Sequence, residues 1–171
     1  MPQDAAPDAI ALLKADHRKV ESLFEDFEKA SASKRKEELA LQICLELTVH
    51  AQIEEEIFYP ACEGAVEEDL LKEAYVEHDS AKVLIAEIEA GSPGDEFYDS
   101  KVKVLSELIE HHVEEEEKRV EGLFSQARNS GVDVEQLGKD MAARKQELVA
   151  AYKRNGLETP QTTTFEANPI R

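Results

Sequence analysis

The sequence predicts an all-α fold: an antiparallel up-down-up-down four-helix bundle with an additional C-terminal helix. Three observations predict it. Ala, Leu, Glu and Lys abound while Gly (7) and Pro (6) are sparse and Trp is absent. Apolar residues recur at helical spacing along almost the whole chain. The recurrence is broken only by short stretches rich in turn formers.

The first helix opens at Pro7-Asp8, where proline suits a first turn and an acid suits the positive helix end. Its inner stripe is Ile10, Leu13, His17, Val20, Phe24 and Phe27, and Ala30 to Lys34 is the first turn. The second stripe is Ile43, Leu47, His50, Glu54, Ile57 and Ala61. Pro60 is expected to bend or end this helix and Gly64 to close it.

The third stripe runs Leu71, Ala74, His78, Ala81, Ile85 and Ile88, up to the Gly91–Gly94 turn. Asp95 is the expected cap of the fourth helix. That helix carries Val102, Leu105, Leu108 or Ile109, His112 and Glu116, and is expected to continue through Val120 and Leu123 to Asn129. A fifth helix over about 133–155 follows Asp133, with Val134, Leu137, Met141, Leu148 and Tyr152 on one side. The bundle domain spans 1–158, with its core over about 8–130. The Thr-, Pro- and Asn-containing tail 159–171 is expected to be disordered. The fifth helix covers one end of the bundle or mediates a homodimer, and the sequence leaves both open.

The formal charge of -18 works against nucleic acid phosphates and anionic membrane surfaces, and favours cations. No stretch has the length and apolarity to cross a membrane, and residues 1–6 carry no secretory pattern, so the cytoplasm is the expected location. Cys44 lies among apolar residues as a core thiol, Cys62 is expected to be more exposed, and the two form neither a disulfide framework nor a Cys-x-x-Cys motif.

The chemistry lies in the histidines. His17, His50, His78 and His112 each fall on the apolar stripe of a different long helix. Counted from the turns at ~1.5 Å per residue, their heights agree to within ~6 Å. One histidine on an apolar stripe is ordinarily a satisfied core residue. Four at one level of a core are costly unless something satisfies their nitrogens, and a divalent metal does so. Glu54 and Glu116 each follow a histidine by four residues, one turn along the same face. A buried carboxylate there needs a cation. Four imidazoles and two bridging carboxylates leave about four of the 12 positions of two six-coordinate ions for oxygen, water or an external ligand. This mixed set suits iron or manganese better than calcium or magnesium.

These motifs resemble a known family. Asp16-His17 with Leu23-Phe24, the stretch His50 to Pro60, Glu77-His78, and His111-His112 with Glu116 look like the hemerythrin-like, or HHE cation-binding, domains. The resemblance implies a four-helix bundle with a non-haem di-iron centre, oxo- or hydroxo-bridged, that meets oxygen, peroxide or nitric oxide. The ligands it implies are His17, His50, Glu54, His78, His112 and Glu116. Two departures stand out. Lys82 occupies the place of a second histidine on the third helix, and Glu116 lies four residues after His112 where the oxygen carriers have an aspartate at five. Both point away from simple reversible oxygen carriage. They leave a choice between a centre that reacts with small ligands and an iron- or oxygen-responsive binding module; a purely structural bundle is the bland alternative. His111, turned about 100° from His112, is expected at the surface. Tyr59 and Tyr75 are expected to pack in the core, with a hydrogen bond to a metal-bound oxygen as the lesser reading.

Overall fold

Asp8 accepts a hydrogen bond from the Ala11 amide at 2.8 Å and so caps the first helix. In the computed structural model, which describes residues 6–165, that helix is α1 (Ala9–Lys29). It is followed by α2 (Ser33–Ile53), a π-helical turn (Glu54–Phe58), α3 (Tyr59–Cys62), α4 (Glu68–Ala90), α5 (Tyr98–Glu117), α6 (Leu123–Asn129) and α7 (Val134–Asn155). Among the described residues every regular element is a helix, apart from an isolated bridge between Pro93 and Asp95. No helix among them is long and apolar enough to cross a membrane.

α1 packs on α2, α5 and α7, while α2 packs on α4 and α7, and α4 on α5. The core comes in two parts. One gathers Leu13, Val49, Ile53, Phe58, Leu71, Ala74, Phe124 and Met141. The other gathers Val20, Phe24, Ile43, Leu47, Ala81, Ile85, Val102 and Leu105. Each large side chain in them contributes about 1.5–3 kcal/mol by leaving water. The stripes of α1, α2 and α4 pass from one part to the other, and the residue at the crossing is a histidine: His17 between Leu13 and Val20, His50 between Leu47 and Ile53, His78 between Ala74 and Ala81. The apolar periodicity that builds the helices thereby builds a polar layer between two apolar ones.

The structure departs from the expected course of the chain at several places. The second stripe keeps Ile57 only partly buried against the core and does not continue to Ala61. Instead Phe58, Tyr59 and Cys62 are buried, and Ala61 is exposed. The Tyr59 amide bonds back to the Glu54 carbonyl, five residues away, so one extra residue enters the turn and rotates everything after it. Pro60, which has no N–H to donate, sits just beyond this widened turn and neither ends nor breaks the helix. Cys62 is consequently fully buried, and burial first, then the charges of Glu54 and Glu116, push its thiol up to about 12.

Asp95 does not cap the fourth helix. Its carboxylate accepts from the Ser92 amide at 2.8 Å, within the turn, and α5 starts at Tyr98. Nor does α5 reach Asn129. It stops at Glu117, and the chain folds over itself so tightly that a Cβ on Gly122 would lie 2.4 Å from the Lys118 carbonyl oxygen. Val120, expected inside, is consequently 77% exposed. The fifth helix forms as α7, capped by Asp133 through the Gln136 amide at 3.1 Å. In the tail, the backbone amides of Thr163 and Thr164 bind the buried Asp79 carboxylate at 2.6 to 3.0 Å. Residues 166–171 lie outside the described residues.

Candidate metal centre

α1, α2, α4 and α5 each deliver a histidine to the layer between the two apolar cores. All six residues read from the sequence are buried there, none more than 6% exposed: His17, His50, Glu54, His78, His112 and Glu116. The histidines meet in pairs. The Nε2 atoms of His17 and His50 are 3.1 Å apart, and those of His78 and His112 are 3.2 Å apart. Both glutamates span the pairs. Glu54 places Oε1 3.2 Å from His50 Nε2 and Oε2 3.0 Å from His78 Nε2. Glu116 places Oε2 3.2 Å from His17 Nε2 and Oε1 3.3 Å from His112 Nε2. The residues thus fall into two groups able to hold an ion: His17, His50, Glu54 and Glu116; and Glu54, His78 and His112.

The outer ring nitrogens are occupied in a regular way. Nδ1 of His17 faces Glu117 at 2.9 Å, that of His50 faces Asp16 at 3.2 Å, and that of His112 faces Glu77 at 3.1 Å. His78 Nδ1 lies 3.6 Å from Glu55, too far for a hydrogen bond but close enough for charge attraction. Each carboxylate comes from the neighbouring segment. Asp16 on α1 serves α2, Glu55 after α2 serves α4, Glu77 on α4 serves α5, and Glu117 on α5 serves α1. A carboxylate on Nδ1 holds the proton there and turns the Nε2 lone pair inward.

That arrangement tests whether a metal fits. Four inward lone pairs and two carboxylates concentrate negative potential in an apolar core. Glu54 Oε1 and Glu116 Oε2 are buried without a hydrogen-bond partner. Donors 3.1–3.2 Å apart have roughly the spacing of two nitrogens ~2.1 Å from one ion at about a right angle. The donor set, the orphaned oxygens and the spacing all fit a metal ion. Without one, protons take its place. Burial lowers His50, but Glu54 and Asp16 outweigh it and raise the imidazole to about 10. His112 is likewise raised well above its ordinary value against burial, chiefly by Glu116. Glu116 is held well below the carboxylate range by His112 and His17, again against burial.

Tyr59 packs in the core as expected, and its hydroxyl also takes part in the site. Its hydroxyl donates to Glu116 at 2.7 Å, lies 3.2 Å from Glu54, and stands 3.2 and 3.4 Å from the Nε2 atoms of His78 and His112. Burial, then the two glutamates, push its ionisation far up, so it keeps its proton. The π-helical turn puts it there, and apolar spacing alone gives no sign of such a turn. Tyr75 has the packing role, edge-on to Tyr59 with ring centres 5.2 Å apart. His111 is at the surface, 62% exposed and 3.4 Å from Glu77. Lys82 pairs with Glu55 at 2.8 Å and reaches Asp79 at 3.4 Å, so it holds a supporting carboxylate in place of a second histidine on α4. Lys145 of α7 bonds to Asp16, joining the C-terminal helix to His50.

Residues 8–124 match the hemerythrin HHE cation binding domain. The chain belongs to that family. A DNA nickase from Nostoc sp. (strain PCC 7120 / SAG 25.82 / UTEX 2576) is 31% identical over 139 residues, which are 80% of this chain and 39% of the nickase. The chain therefore spans well under half the length of that curated relative. Among solved structures, a hemerythrin HHE cation binding domain-containing protein from Mycobacterium kansasii superposes with a TM-score of 0.72, covering 88% of this chain and 95% of its own at 22% identity. That likeness concerns the fold alone.

Proposed function

We propose that the chain holds two non-haem iron ions and reacts there with a small ligand: dioxygen, peroxide or nitric oxide. Carrying this reading is the span of Glu54 and Glu116, each of which reaches both histidine pairs. Two carboxylates shared between two imidazole pairs suit two ions held close enough to act together. The ligands are His17 and His50 on one side, His78 and His112 on the other, with Glu54 and Glu116 between. α1, α2, α4 and α5 form the up-down-up-down arrangement that brings them to one level.

The metal pair, when bound, supplies electrons and a coordination position left open by the short ligand set. The chain supplies the rest. Asp16, Glu77 and Glu117 fix the orientation of the imidazoles. Tyr59 holds a proton at its hydroxyl, within hydrogen-bond reach of both glutamates. The apolar layers on either side exclude water and limit side reactions. A peroxide-decomposing turnover is the most direct use of such a site. Stopped-flow measurement of peroxide and dioxygen consumption by the iron-loaded chain tests it, with Glu54→Gln as the control expected to lose the reaction.

One observation favours a sensing role as a second reading. Lys145, beyond the matched family segment, contacts Asp16, which in turn holds His50. Iron occupancy at His50 would thereby bias the placement of α7, whose response a partner reads. Helix content that depends on iron, without consumption of peroxide or oxygen, selects that reading. The charge of -18 speaks against duplex DNA as a partner, whatever the larger nickase does. We place the chain in the cytoplasm, and leave a homodimer through α7 as its assembly.

A further inference from the structure

The two sides of the histidine layer differ. Glu54, Glu116 and Tyr59 fill one side. On the other lies a cavity of about 330 Å³ that reaches the four histidines. Most of its exposed wall area is apolar, from Val20, Leu47, Ala81, Ile85 and Ile109, the stripe residues one or two turns from the histidines, with polar side chains such as Thr48, Gln52 and Tyr152 beside them. The tail segment Glu158–Gln161 also lines the cavity. That segment is tied down by the Gln161 carbonyl on Lys82 at 3.0 Å and by Thr163 and Thr164 on Asp79.

Size and charge narrow the occupant. A diatomic ligand needs a small part of this space. A dry apolar cavity of about 150 Å³ accepts benzene, so one twice that size accepts a fused two-ring molecule. Ligand pockets of small organic molecules begin at roughly this volume. The charged groups around the cavity already have partners: Lys82 with Glu55, Glu56 with Arg144, and Asp16 with Lys145 and His50. Away from the histidines, the basic side chain on the wall, Lys82, is taken up by Glu55, and the lining also carries Glu158, so no free cation there receives an anionic ligand. An anion would be repelled and a neutral molecule would not.

We infer that this cavity is a binding site for a neutral, largely apolar organic molecule of about the size of naphthalene, held beside the metal centre under the tail strap. Placement of the ligand depends on the apolar wall and not on which metal fills the site, so it stands apart from the iron reading.

Equilibrium dialysis of naphthalene against the purified full chain tests the inference, with iron determined on the same samples. Saturable uptake of about one molecule per chain is expected, with naphthalene-2-sulfonate bound at least tenfold more weakly. Ala81→Leu and Thr48→Leu fill the cavity from two helices. Either variant, checked for wild-type helix content by circular dichroism, should weaken naphthalene binding at least tenfold. Uptake that does not saturate overturns the inference, as does saturable binding that a folded, filled variant retains. Binding without iron leaves the cavity site intact and removes the metal reading; iron without binding does the reverse.

Discussion

Asp16 on α1 accepts a hydrogen bond from Nδ1 of His50 on α2, at 3.2 Å, and is itself bonded by Lys145 of α7. Three helices thus converge on the orientation of one imidazole. The pattern repeats around the layer with Glu77 on His112 and Glu117 on His17.

This relationship predicts that removing the carboxylate weakens metal binding without removing a ligand. Asp16→Ala should lower iron affinity by about 10–100-fold, the usual cost of losing an outer partner of a ligating histidine. Lys145→Met should give a smaller loss in the same direction. Competition with a chelator of known affinity measures both, and equal affinity across all three proteins contradicts the role of Asp16.

The metal-free site carries protons where the metal would be, and this sets a pH dependence. His50 is raised to about 10 in the folded chain, above its ordinary value of 6.5. A raised histidine contributes stability that is fully present below about 6.5 and is lost as pH rises toward 10. Metal-free protein should therefore lose denaturant resistance across that window. Because the ion displaces those protons, iron uptake near neutral pH should release protons, and affinity should rise with pH over the same range. Titration of iron into weakly buffered protein, followed with a pH indicator, reads the release directly. Uptake without proton release contradicts protonated imidazoles in the metal-free site.

Tyr59→Phe removes the hydroxyl between Glu54 and Glu116 while keeping the ring that packs on Tyr75. Leaving buried carboxylate oxygens without this donor should cost about 1–3 kcal/mol in the metal-free protein. Iron would then become the main partner of both glutamates, so the difference between variant and wild type should shrink on loading. Urea unfolding of both proteins, with and without iron, measures the two differences.

The legible part of the fold was whatever follows from helical spacing. The stripes of α1 and α4 are buried residue for residue, and all six inward His and Glu side chains meet in one layer. Four histidines on four stripes signal a site because depth follows from residue count at fixed rise. What spacing cannot carry is a change of spacing. The π-helical turn at Glu54–Phe58 shifts the inward face by one residue, which is why Tyr59 and Cys62 are fully inside while Ile57 is only partly buried and Ala61 is exposed. The break at Gly122 was hidden for a related reason: acidic and apolar residues continue at helical period across a point where the backbone folds back. The supporting carboxylates left a faint trace, since Asp16 and Glu77 each precede a histidine. Yet each serves the histidine of another helix, and only packing decides that.

The central claim is that four helices converge on two metal ions. Elemental analysis of the full chain, purified without oxygen and reconstituted with ferrous iron, tests it most directly beside His50→Ala and His112→Ala. The account predicts about two irons per wild-type chain, with each variant losing metal from the pair to which its histidine belongs. Iron well below one per chain after reconstitution, unchanged in either variant, would contradict it and leave a helical protein with four histidines in its core.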